Sequence, residues 1–188
     1  LLAGSFDTEK RTSSVNLLKG RGKRVTAEIT IPRQVMIDNL RISPPQMHYG
    51  QGISTLAALL TNSSNNAAHP ANGLAALYLA TGQDIANIGE SNQCTTYNKV
   101  TRGGDYYFSI TFPALIMATY GGGTALPTQR ECLQIMDCYG KGKAMKLVEI
   151  AAALALAGEL SLGAAAKVDH KTRKNEWVDA HEKLGRNR

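Results

Sequence analysis

The stretch DYYFSITFPALIMA, residues 105–118, runs through Thr119 and Tyr120 into Gly121, Gly122, Gly123 and Thr124. Its β-branched and aromatic content predicts one or two strands. A strand that delivers the chain into a glycine loop suits phosphate groups, because backbone N–H groups converge there with no side chains in the way. A glycine triplet alone is more often a tight turn. No G-x-G-x-x-G follows a strand, so a Rossmann unit is not indicated.

Working outward, VTAEITI at 25–31 alternates with period two and predicts a half-buried strand. Before it, SSVNLLKGRGK at 13–23 carries two glycines around Arg21 that mark a turn. Pro32 followed by RQVMIDNL reads as a helix with proline in its first turn, and Pro44-Pro45 is expected to close it. ISTLAALL at 53–60 is helical in composition, and the polar run Thr61 to Asn66 separates it from a second helix, Pro70 to Ala80, ended by Gly82 with His69 at its cap. Downstream, Pro127 to Met136 predicts a short helix and Lys143 to Val168 a long one, whose Gly158 and Gly163 permit close backbone approach. Glu149 and Glu159 interrupt its apolar run from Leu147 to Ala166, so it reads as a packed helix rather than a membrane span. Helices and strands without βαβ alternation predict an α+β fold, helices on a mixed or antiparallel sheet.

The 188 residues suffice for one domain with a core. With 43% hydrophobic and 19% charged residues, disorder and collagen-like structure are excluded. The formal charge is +6, and it is concentrated at the two ends, residues 1–24 and 167–188, around a nearly neutral body. Basic ends suit a small anionic ligand. Aromatic residues are only 6%, too few for the stacking surfaces of nucleic-acid binders. Cys94, Cys132 and Cys138 are an odd set without zinc-knuckle spacing, and are expected to be reduced thiols. The opening Leu1-Leu2-Ala3 looks like the end of a strand, as expected of a piece of a longer polypeptide.

Singly, the chemical candidates are ordinary. Lys10 stands in a charge run, His69 could be a cap, Asp84 could simply end a helix, and His181 lies in a basic tail. Taken in order, however, EKR, SSVN, KGRGK, NAAHPANG, YLATGQD, IMATYGGGT, AGELSLGAA and AHEKLGRNR resemble the 3-hydroxy-3-methylglutaryl-coenzyme A reductase family, from about Glu9 to the C-terminus.

The resemblance implies the C-terminal part of that family's catalytic large domain: residues 1–168, with 1–12 as a substrate loop, followed by a flexible catalytic tail, 169–188. It implies reduction of a coenzyme A thioester to mevalonate with NADPH or NADH, and a homodimer or higher oligomer with shared sites, or a separate chain carrying the upstream half. The location implied is cytoplasmic, or the cytosolic face of a membrane-anchored protein. No nucleic acid, metal or membrane contact by this segment is implied. Lys10, Asp84 and His181 match the family's catalytic lysine, aspartate and tail histidine. Two hydride transfers place negative charge on the carbonyl oxygen, which calls for a cation. The departing thiolate calls for a proton donor near neutral pKa. Ser5, Glu9, Arg11, His69, Asn72, Leu162 and Ala165 would meet substrate or coenzyme A; Gly121, Gly122, Gly123, Asn187 and Arg188 would meet the cofactor.

Several departures set expectations. The family's upstream half, with an ENVIG-type catalytic glutamate and a DAMGMN-type cofactor loop, is not in this chain, so the chain alone is expected to be inactive. Ala3-Gly4-Ser5-Phe6 stands where the family tends toward SGNY, and Gly50 to Asn66 carries no lysine where the family usually supplies a second cation. Extra residues around Arg173 to Trp177 lengthen the approach to His181. The alternative is a non-catalytic module that binds coenzyme A or an acyl thioester on the same scaffold.

Overall fold

The computed structural model describes residues 12–167. They form α1 (Ser14–Leu18), β1 (Lys23–Ile31), α2 (Arg33–Val35) continued by a π-helical turn (Met36–Leu40), α3 (Pro44–Leu60), α4 (Pro70–Thr81), a 3-10 turn (Ile85–Asn87) leading into α5 (Ile88–Ser91), β2 (Thr95–Val100), β3 (Tyr106–Leu115), a second 3-10 turn (Gly122–Ala125), α6 (Pro127–Ile135) and α7 (Ala144–Lys167). The class is α+β, as expected, with a purely antiparallel sheet in the order β1-β3-β2.

The predicted apolar stretch 105–118 makes one central strand, not two. Tyr106, Phe108, Ile110, Phe112 and Ala114 point into the core. Pro113 would break a central strand, because it cannot donate to the ladder. It is tolerated here because β2 pairs only as far as Thr111, and the β1 register is irregular between Lys23 and Val25, opposite that end of β3. β2 itself was not legible: TTYNKV has polar residues at most positions and only Thr96 is buried.

Across the sheet lies α7, about 36 Å long at 1.5 Å per residue for its 24 residues. It packs on β1 and β3 and against α3 and α4. Leu147, Val148, Ala151, Ala152, Ala155, Leu156, Leu160 and Ala164 recur with the helical period on its buried face. Its length and apolar composition would also suffice for a membrane crossing, but the buried core helix of a domain has the same signature.

Pro44 and Pro45 do not close a helix. They open α3, where a missing N–H costs nothing, and Ser43 with Gln46 forms a capping box. The preceding helix ends earlier, in the π-helical turn, with Arg41 left-handed at φ 58°. The helix expected at 53–60 therefore begins nine residues earlier, while the bounds of β1, α4, α6 and α7 hold within a residue or two, and α4 terminates at Gly82 in the left-handed region.

Candidate functional site

The end of α4 and the exit of β3 are stitched together by one neutral side chain. Gln83 Nε2 donates to the Ala118 carbonyl (2.8 Å) while the Ala118 N–H donates to Gln83 Oε1 (2.7 Å). That two-point contact imitates a strand pair. Beside it the backbones of Gly82 and Gly123 touch: a Cβ on Gly82 would fall 2.3 Å from the Gly123 carbonyl oxygen, and one on Gly123 would fall 2.6 Å from that of Gly82. The G-Q-D and G-G-G-T motifs, about forty positions apart in sequence, thus form one loop cluster. Tyr78 reinforces it through a 2.5 Å hydrogen bond to the Ile116 carbonyl, and burial pushes its phenol up to about 12.

Asp84 follows directly. Its carboxylate is exposed, and Oδ1 accepts the Ala86 N–H (3.1 Å), capping the 3-10 turn. Gly121 and Gly122 have φ of 85° and 54°, and no atom lies within 4 Å of where their Cβ would be. The Thr124 hydroxyl closes the turn on the Gly121 carbonyl (2.6 Å). The expectation that β3 runs straight into this loop is corrected: β3 ends at Leu115, and residues 116–120 intervene.

The segment entering from the N-terminal side docks on the same turn. Thr12 Oγ1 donates to the Gly89 carbonyl (2.9 Å). Arg21, between the two glycines of K-G-R-G-K, reaches Glu90 with Nη2 at 2.6 Å and Nε at 3.2 Å, and Asn87 Oδ1 at 2.9 Å. Glu90 is 1% exposed, so this pair holds the two segments by a buried carboxylate.

His69 and Asn72 lie at the other end of α4, three residues apart and therefore on one face. His69 holds the N-cap position of α4, as expected, but its side chain makes no capping hydrogen bond. The cap is Glu159, 5% exposed, whose Oε2 accepts the N–H groups of Ala68 (3.0 Å) and His69 (2.8 Å). The His69 ring instead fills a slot on α7 made by Gly158, where a Cβ would stand 2.0 Å from Cε1. Its buried Nδ1 has no hydrogen-bond partner among the described residues.

Leu162 lines a groove of about 390 Å³ between α3, the 61–68 loop and α7, together with Glu159, Gly163, Ala166 and Lys167. Ala165 is half-buried beside it and does not line it.

Of the predicted site residues, Asp84 and Gly121 to Gly123 therefore come together, while His69, Asn72 and Leu162 belong to a second zone. The 12 residues of α4, about 18 Å of helix, separate the two. Ser5, Glu9, Lys10, Arg11, His181, Asn187 and Arg188 lie outside the described residues. Sequence reasoning missed Gln83, Glu90, Glu159 and Lys167. Only Glu159 had left a signal, a charge inside an otherwise apolar helix. No group of His, Cys, Asp and Glu among the described residues could hold a metal ion, and the three cysteines are unpaired.

The profile of the family described as hydroxymethylglutaryl-coenzyme A reductase matches residues 1–186. The chain is similar to the 3-hydroxy-3-methylglutaryl-coenzyme A reductase of Pyrococcus abyssi, with 41% identity over 98% of this chain and 45% of that protein. It is similar to that of Methanothermobacter thermautotrophicus at 39% over the same two shares. To the reductase of Strongylocentrotus purpuratus it is 36% identical, over 90% of this chain and 19% of the relative. The chain thus spans less than half the length of these curated relatives.

Proposed function

Since the chain belongs to the hydroxymethylglutaryl-coenzyme A reductase family, we propose that the protein reduces (S)-3-hydroxy-3-methylglutaryl-coenzyme A to mevalonate and free coenzyme A. In this reading the chain supplies Lys10, Asp84 and His181 to a site shared between subunits. A reduced nicotinamide cofactor, NADPH or NADH, supplies a hydride at each of two steps when bound. The open, positive-φ backbone at Gly121 and Gly122 fits such a group, since a Cβ would occupy the space into which it must come.

The chain's own residues divide the remaining work. The Lys10 ammonium faces the carbonyl oxygen as it becomes anionic, and a fixed cation there requires no reorganisation during the reaction. Asp84 pairs with that ammonium, holding it in place and charged. His181 donates a proton to the departing coenzyme A thiolate, because an imidazolium titrates near neutral pH. Atoms balance: each step consumes one hydride and one proton, and the carbon–sulfur bond breaks between them.

The observation that carries the reading is the Thr12 anchor on Gly89. Thr12 is two positions after Lys10 in the sequence and Gly89 five after Asp84, so the contact supports pairing these two segments. The test is nicotinamide oxidation by the full-length protein with hydroxymethylglutaryl-coenzyme A. Lys10→Ala should lower kcat at least a hundredfold. Turnover that survives this substitution, with only weaker substrate binding, would favour the non-catalytic thioester-binding reading instead.

A further inference from the structure

Gln83 stands between the end of α4 and Asp84, and its side chain acts as a substitute peptide group. Oε1 accepts the Ala118 N–H at 2.7 Å while Nε2 donates to the Ala118 carbonyl at 2.8 Å. Nε2 also lies 3.2 Å from the Thr81 carbonyl and 3.2 Å from the Thr81 hydroxyl. These partners fix the orientation of the amide, since a flipped amide would set its oxygen against two carbonyls. The main chain of the same residue is held as well: the Gln83 N–H donates to the Tyr78 carbonyl at 2.9 Å as the last turn of α4 closes. Gln83 is thus anchored both at its backbone and at the tip of its side chain. Asp84 leaves it in an extended conformation, φ −68° and ψ 108°, before Oδ1 accepts the Ala86 N–H at 3.1 Å. On the other side Ala118 leads through Thr119 and Tyr120 to Gly121. Thr119 is itself fixed, its hydroxyl donating to the Gly140 carbonyl at 2.7 Å and its carbonyl accepting the Gly140 N–H at 2.8 Å.

We propose that Gln83 is a positioning residue: its amide fastens the Asp84 segment to the exit of β3 and so sets the Asp84 carboxylate at a fixed place relative to the glycine loop. The inference rests on the reductase reading and adds to it a residue that acts through Asp84. A neutral amide suits the task, because it offers a donor and an acceptor in one plane without a second charge beside the carboxylate.

The experiment uses the full-length protein carrying Gln83→Met or Gln83→Glu. Methionine keeps the length and removes both hydrogen bonds, so kcat should fall about ten- to a hundredfold while KM for hydroxymethylglutaryl-coenzyme A stays within about twofold. A protonated glutamic acid restores the pair, its hydroxyl donating to the Ala118 carbonyl and its other oxygen accepting the N–H; once ionised it has no donor. Of the charged groups on the adjoining segments, Asp84 and Glu90 oppose that ionisation, while Arg21 and Lys23, which donates to the Met117 carbonyl at 3.4 Å, favour it. Relative to wild type at the same pH, the deficit of Gln83→Glu should shrink as pH falls from about 8 to about 5, and that of Gln83→Met should not. A folded Gln83→Met enzyme with kcat within about twofold of wild type, or a Gln83→Glu deficit that is flat with pH, would overturn the assignment. If the wild-type enzyme shows no turnover, the reductase reading falls, and amide hydrogen exchange decides the positioning by itself. Gln83→Met should then speed exchange about tenfold at Ala118, which loses its acceptor, and also at Ala86, whose acceptor is Asp84. Faster exchange at Ala118 alone would mean that the amide joins the loops without holding Asp84, and would end the proposal. Should Gln83→Met fail to fold, Gln83→Glu carries both tests at the two ends of the pH range, each read against wild type at the same pH.

Discussion

Glu159 shows how one carboxylate inside an apolar helix ties two elements together. Its Oε2 takes the N–H of His69, the N-cap of α4, and that of Ala68 just before it. A negative charge there also meets the positive end of the α4 dipole. Glu159→Ala strands both donors and opens a small void, and should cost about 2–4 kcal/mol. Glu159→Gln keeps an acceptor and the shape, and should cost roughly half as much. Urea denaturation of the two variants, read as shifts in midpoint at constant slope, checks the order. An equal loss in both would mean that charge, not hydrogen bonding, carries the cap. In the sequence this residue was visible only as an interruption between Glu149 and the tail, because its partners lie about ninety positions earlier. Glu149, equally charged, is simply exposed. Lys167 was hidden for a related reason: it reads as the first base of a charged tail, and only folding lays it across Gly50.

At the level of elements, periodic segments were readable and neutral contacts were not. The alternation of 25–31 and the apolar run of 105–118 gave β1 and β3, and the 147–166 run gave α7, since burial imposes those periods directly. β2 escaped because its core contribution is one threonine. Pro44-Pro45 misled because proline both ends helices and begins them, and the choice belongs to Ser43 and Gln46, which flank the pair. The entry to α7 carries a further electrostatic arrangement. Lys143 and Lys146 sit at a helix N-terminus, the unfavourable end for cations. Asp137 bridges both, at 2.6 and 2.9 Å, and hydrogen bonding to the two ammonium groups lowers its pKa to about 2 from 3.8. With the folded value depressed, the contribution is present above pH 3.8 and is lost as pH falls toward about 2. The Asp137 carboxyl, followed by NMR, should titrate near 2 at low ionic strength and move back toward 3.8 in concentrated salt, since the pair is fully exposed to screening. A titration unmoved by salt would rule out the lysines as the cause.

For the molecule as a whole, the separation of the two zones by α4 bears on how the proposed site would be completed. Asp84 lies past one end of a helix about 18 Å long, while His69 and the groove lie at the other. A six-carbon acyl chain spans less than half of that, at about 1.3 Å per bond along an extended chain, comparable to backbone spacing. An acyl group that short does not reach from the His69 end of α4 to Asp84, so on the reading proposed above a second copy would bring its loop cluster over the groove. A two-fold pair makes two such composite sites. Asp84→Asn disables the loop-cluster half and His69→Ala the groove half. In a mixed pair, one composite site inherits both defects and the other inherits neither. Random pairing of the two inactive proteins should then restore about a quarter of wild-type turnover, because half of the pairs are mixed and each has one intact site of two. If each site were built within a single subunit, every site would carry a defect and mixing would restore nothing.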